Sequence, residues 1–278
     1  MKLHKKRRIA FFTTILIICT VCIGITISIQ MNDYYEKEIE NEESIGNNKL
    51  YELDQELFRS KFINSFNNKL NITNSNLNNI KKIEESKEII YTKTIQEEND
   101  NKYKLNINIP YLNIENNDIK NYNEEIKNIF ESKIEEIKSN NINTIYTIDY
   151  IANINNNLLS LVIKATLKEG DNSQRLIIKT YNYNLEKSNE VKIEKLISNK
   201  DLKVKDFQNK LKEELEKQNK EAQELKELGY NVFIRNIKEE MFEIENINTY
   251  FIDNDGYIYI IYAYGNNNLT TEMDIVVF

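Results

Sequence analysis

The side chains able to do covalent or metal chemistry are few, and nearly all of them sit at one end. The chain holds one histidine, His4, and two cysteines, Cys19 and Cys22. Everything after Cys22 lacks both residue types, which excludes zinc sites built on them, Ser-His-Asp triads and cysteine nucleophiles there. No Ser-x-x-Lys, no Gly-x-Ser-x-Gly and no phosphate-cradling glycine loop occurs. What remains is oxygen chemistry. Paired carboxylates could hydrolyse a glycosidic bond, but the acids fall mostly on polar helix faces, where they solvate. Asp253-Asn254-Asp255-Gly256 resembles a piece of a calcium loop. An EF-hand needs an acid where Phe251 stands and a glutamate where Tyr262 stands, so the tetrapeptide reads as a turn. No catalytic residue, cofactor or metal ligand is assigned. The residues with binding potential are Tyr257, Tyr259, Tyr262 and Tyr264, since tyrosine anchors interfaces well. Packing on a helix, hydroxyls toward solvent, is the commoner use of such a strand.

The elements that position these residues are set out by periodicity. Leu50, Leu53, Leu57, Phe58, Phe62, Phe66 and Leu70 recur at helical spacing, and Asn71 to Asn79 reads as a loop. Residues 88–96 and 103–109 read as a strand pair turned at Asn99-Asp100-Asn101, with Pro110 ending the second strand. A helix capped by Asn117 or Asp118 carries Ile119, Tyr122, Ile126, Ile129, Phe130, Ile134 and Ile137 on its apolar face. Strands are expected over 144–154, 157–168 and 174–185, then a shorter strand or extended edge over 191–197. Val204, Phe207, Leu211, Leu215, Ala222, Leu225 and Leu228 mark a long helix closed by Gly229. Residues 249–252, 257–264 and 273–278 are strands, the middle one too apolar for an edge. Because the strands arrive as hairpins, the expected fold is α+β: antiparallel sheet with helices packed on one side.

Ile9 to Ile29 carries no charge and, at helical rise, spans roughly 30 Å, enough to cross a bilayer. Lys2, Lys5, Lys6, Arg7 and Arg8 precede it and acids come after it. The expectation is therefore a single-pass signal anchor in the cell membrane, with residues 1–8 cytoplasmic and the bulk of the chain extracytoplasmic. Ile27-Ser28-Ile29-Gln30-Met31 offers no signal-peptidase site of the small-x-small kind. Residues 30–49 read as an acidic tether, 50–80 as an amphipathic helix and loop, and 85–278 as the external domain, with a two-part division near 140. The chain has 37 basic and 44 acidic side chains. The five basic residues before the apolar segment leave 32 against 44 beyond it, a net −12. Such a surface repels nucleic acid and attracts cationic partners at long range. Both cysteines lie within the apolar segment, so the external part has no disulfide, an ordinary state for a Gram-positive bacterial envelope protein.

Asn108-Ile-Pro-Tyr-Leu through Asn123, Asn157-Leu-Leu-Ser-Leu-Val-Ile, Leu176–Ile197 and Tyr250-Phe-Ile-Asp-Asn-Asp-Gly-Tyr-Ile-Tyr-Ile-Ile-Tyr succeed one another in a familiar order. Over roughly residues 85–278 it resembles an extracytoplasmic domain pair of Gram-positive envelope proteins, originally of unknown function. The ectodomain of the lysozyme-sensing anti-sigma factor and the N-terminal region of some peptidoglycan deacetylases share that pair. The resemblance implies an α+β fold and a non-enzymatic binding role at the cell envelope, with lysozyme, another cationic protein or peptidoglycan as the ligand. Eight residues ahead of the membrane segment are too few for a sigma-binding domain, and deacetylase metal chemistry has no histidine to use. A structural or accessory subunit of an envelope complex is the second expectation, with the 50–70 helix as its docking element. A carboxylate-dependent wall hydrolase is the third.

Overall fold

Asn156 and Asn157 turn the chain between its two longest strands. Both hold positive φ, 49° and 61°, a region asparagine tolerates better than most side chains. Their two-residue turn joins β4 (Thr144–Asn155) to β5 (Leu158–Glu169) in unbroken antiparallel register. The computed structural model describes residues 53–199 and 203–278; the expected cytoplasmic tail (1–8), membrane span (9–29) and tether (30–49) lie outside them. Among the described residues no helix is long and apolar enough to cross a membrane. Every described element belongs to one compact unit, Glu52–Phe278.

Around that hairpin lies a seven-stranded sheet. β6 (Arg175–Asn184) and the short β7 (Asn189–Glu190) extend it on the β5 side. On the β4 side β3 (Tyr103–Leu112) runs parallel to β4, from Tyr103 beside Thr144 to Ile107 beside Ile148. β2 (Ile90–Asn99) pairs antiparallel with β3 along its whole length. Past Ile107, β1 (Leu70–Thr73) takes over beside β4, also parallel. The sheet is therefore mixed, not antiparallel as expected. The reason is the helix between β3 and β4: a helical crossover returns the chain in the same direction, whereas a short turn reverses it. Strands β3 and β4, on either side of residue 140, pair within this one sheet. Pro110 lies inside β3 instead of ending it, because the pairing with β4 has already stopped at Ile107 and leaves no donor to miss on that side.

The crossover is α2 (Asn117–Ile126), a π-helical turn (Lys127–Glu131) and α3 (Ser132–Ser139). Its N-cap is Asn116, one residue ahead of the expected position, whose side chain accepts from Asp118 N at 2.7 Å. Ile126, Phe130 and Ile134 are four apart, a spacing that drifts about 40° per step round an α-helix. The wider π-helical turn takes up the drift and keeps Phe130 buried with Ile119, Ile134 and Ile137. Together with Ile107, Ile148 and Ile163 these side chains form the core on one face of the large sheet.

The other face packs on a small antiparallel sheet of β8 (Tyr250–Ile252), β9 (Ile258–Ala263) and β10 (Met273–Val277), with β9 in the middle. Alternate residues Phe251, Tyr259, Ile261, Ile275 and Val277 meet Ile151, Val162 and Ile178 of the large sheet. The intervening residues face α5 (Val204–Glu227), where Phe207 stacks on Phe278 at 3.8 Å. Gly229, φ +92°, ends α5 while Tyr230 N donates back to Leu225 O. Helices thus cover both outer faces, not one. Residues 191–197, expected as strand, enter a helix instead: α4 (Ile193–Asn199) buries Ile193 and Ile197, one turn apart. Their β-branched side chains favour strand locally, and the burial of that one stripe overrides the preference. The helix expected near residues 50–70 is α1 (Gln55–Asn64), capped by Asp54, with Phe62 in the inter-sheet core.

Side chains finish several strand edges. Gln55 donates to Val277 O and accepts from Val277 N, both at 2.9 Å, and Arg59 Nε donates to Ile275 O at 2.9 Å, so α1 seals β10. Asn266 makes the same two-point contact with Ile178 on β6, and Asn123 with Leu112 at the end of β3. Along β8, Ser160 Oγ accepts from Ile252 N and Asn182 donates to Tyr250 O, each at 2.8 Å. A carboxamide carries one donor side and one acceptor, as a peptide unit does, which suits it to this task.

Candidate functional site

The tyrosines with binding potential are largely inside the molecule. Tyr259 stacks on Phe62 at 5.3 Å and donates to Asp253 Oδ2 at 2.9 Å. Tyr262 packs on Phe242 at 4.9 Å, and Tyr264 stacks on Phe233 at 4.3 Å. These three are buried, and Tyr257 is half-buried against Phe58 at 4.6 Å. Tyr259 and Tyr262 on the central strand β9, and Tyr264 just after it, therefore serve as core side chains, while Tyr257 stays partly accessible. Asp253 forms the expected turn, accepting from Asp255 N and Tyr257 N. Among the described residues no group of three or more His, Cys, Asp or Glu is placed to hold a metal ion.

A concave feature lies elsewhere, between α1, α5 and β10: a cleft of about 460 Å³. Its floor is an ion pair. Arg235 donates to both oxygens of Asp274, at 2.7 and 2.8 Å, and the two side chains are only 8% and 3% exposed. Tyr264 Oη adds a bond to Asp274 at 2.6 Å. The network orients the Gln218 carboxamide so that its nitrogen donates to Asp274 Oδ1 at 3.0 Å and its oxygen accepts from Arg59 Nη2 at 2.7 Å. Asp274 therefore takes four donors. Burial works against the Arg235 charge, but the bonds to Asp274 outweigh it and hold its pKa above the ordinary range. Burial first, then the adjacent Asp274 charge, pushes the Tyr264 hydroxyl well up.

The walls are of a different character. Ile63, Ala222, Leu225, Val232 and Met273 make one side apolar, and Glu56, Glu221 and Glu272 stand among them. Glu272 is committed to the backbone, both oxygens facing Phe233 N at 2.8 and 2.6 Å. Glu56 is 86% exposed, 3.5 Å from Arg59, and Glu221 is exposed. Leu228 and Tyr230, at the end of α5, are 75% and 62% exposed. Chemically the floor is closed: a carboxylate saturated by four donors has no lone pair free to act as a base. The mouth offers apolar area beside negative charge.

Periodicity missed the floor residues, although Asp274 leaves a trace, an acid in an otherwise apolar strand that must have a partner. That partner, Arg235, lies 39 residues away in an irregular stretch, and no local pattern links the two.

No protein-family model matches the chain, and no curated protein matches it in sequence. Among solved structures, a DUF3298 family protein from Pseudomonas aeruginosa is similar over 39% of this chain and 55% of that one, at 8% identity and a TM-score of 0.27. The chain thus spans about half the length of that structure.

Proposed function

We propose that this chain is a non-enzymatic binding domain of the bacterial cell envelope, anchored in the membrane by residues 9–29, whose partner is a cationic protein such as lysozyme. The observation that carries the proposal is the mouth of the cleft, where exposed Glu56 and Glu221 flank the apolar wall of Ile63, Leu225 and Val232. A basic side chain with an aliphatic stem fits such a place, the stem against the wall and the charge against the acids. The net −12 beyond the apolar segment supports it at long range. Titration of the purified full chain with lysozyme, at low salt and again at about 0.5 M salt, tests it. Binding that weakens with salt, and weakens further in the Glu56→Lys/Glu221→Lys variant, is expected. No binding at low salt overturns it, as does preferential binding of soluble wall muropeptides.

The exposed Leu228 and Tyr230 favour one further reading, an accessory subunit docked on a fixed membrane partner. Crosslinking in native membranes separates the two, because a fixed partner is captured with or without lysozyme.

A further inference from the structure

Side chains of the described residues seal the edges of β10, β6, β8 and the end of β3, and none of the described residues seals β2. Among the described residues no side chain caps the outer edge of β2. Its backbone pairs with β3 over ten residues, and Lys93, Thr94, Gln96, Glu97, Glu98 and Asn99 are exposed. A long edge with unpaired backbone groups is a template for another strand. Nearby charges determine which strand fits.

We propose that β2 is a self-association edge, where two copies of this chain join antiparallel, β2 to β2, with Ile95 opposite Ile95 of the second copy. Edge-to-edge antiparallel pairing of identical strands places the two-fold axis perpendicular to the sheet, so only residues pointing to the same face stand opposite one another. Lys93, Ile95 and Glu97 share the face covered by α2 and α3. Lys93 bonds Glu131 of the π-helical turn at 2.7 Å, and Glu97 bonds Lys138 of α3. With Ile95 on the axis, Lys93 lies opposite Glu97 of the second copy, and the converse. Charges then alternate across the joint, Glu131, Lys93, Glu97 of the second copy, Lys138 of the second copy, twice over. The half-buried Ile95, which packs on the core, meets its own kind at the centre, and on the opposite face Thr94 meets Gln96. Centring on Thr94 or Gln96 instead puts Lys93 opposite Ile95 or Asn99 and loses both charge pairs. The same charges that turn away a foreign strand therefore complement a second copy.

Sedimentation equilibrium of the full chain in a mild detergent tests this. The mass is expected to rise from the 33.0 kDa of one chain to twice that value with concentration. Lys93→Glu and Glu97→Lys each set like charges opposite and should weaken association about tenfold or more. An equimolar mixture of the two variants should restore it, since every position 93 then meets an unlike charge at position 97. A measurement on the unaltered chain stands beside the variants. Copies of two isotopic labels, mixed and treated with a carbodiimide, should give a Lys93–Glu97 cross-link joining the two labels. A chain monomeric at all concentrations, a dimer that neither reversal weakens, or the absence of the mixed-label cross-link overturns the proposal.

Discussion

Asp274 shows how much of this molecule rests on single polar residues. Its carboxylate neutralises Arg235 and collects Tyr264 and Gln218, so α5, the stretch after it and β10 meet at one charge. Removing one partner of a buried pair leaves the other charge unpaired in a poor solvent. Asp274→Asn is expected to cost about 3–5 kcal/mol, measured as the fall in unfolding free energy in urea. Glu131 makes a pH prediction. Burial raises its carboxyl pKa, but Lys93 and the Tyr111 hydroxyl outweigh that and leave it below its ordinary 4.5. A depressed carboxyl contributes stability that is full above pH 4.5 and is lost as pH falls through the lowered folded value. Glu131→Gln should therefore be less stable than the unaltered chain at pH 7, with the gap closing below pH 4.5, as read from urea midpoints across that range. An acid in an apolar strand was legible as a buried polar group. The identity of its partner was not, because a distance of 39 residues leaves no periodic mark.

Among the elements, the loop from β9 to β10 seals β6 through Asn266 and packs tightly on it at Gly265. A Cβ at that position would collide with the backbone oxygens of Leu176 and Thr270, neither of which can rotate away. Gly265→Ala should lower stability by about 3 kcal/mol. Gly229→Ala is its control: the space there is open and only the +92° φ is strained, so the loss should be nearer 1 kcal/mol. Thermal melts of the two variants side by side check the order. The long amphipathic elements were legible, since Ile119 to Ile137 and Phe207 to Ala222 carry their burial stripe in plain sequence. Short elements were not. β1 is four residues of an asparagine-rich stretch held by pairing with β4, and α4 buries one turn of residues whose local preference is for strand.

For the molecule as a whole, the layer between the sheets draws on both, and Phe62 of α1 enters it as well. Neither sheet can lose that layer without exposing the other. Unfolding in urea is expected as one transition, coincident by far-ultraviolet circular dichroism and tyrosine fluorescence. Two separated transitions would mean that the sheets are stable apart. The order of pairing also has a kinetic consequence: β1 and β4, far apart in sequence, must find each other in parallel. Refolding should be slower than for a helical domain of this size, in the millisecond-to-second range on stopped-flow mixing.

Sequence alone determined the properties carried by composition and period. It excluded histidine and cysteine chemistry beyond residue 22, marked the apolar segment at 9–29, assigned the main helices and strands, and placed the fold in the α+β class. These are local or additive properties, readable one residue or one turn at a time. Tertiary structure decided the mixed sheet, the helices on both outer faces, the interior place of Tyr259, Tyr262 and Tyr264, and the Arg235–Asp274 floor of the cleft. Each depends on which distant segments meet. That outcome is set by the packing of whole faces, and a hydrophobic pattern says only that a face is buried, never against what.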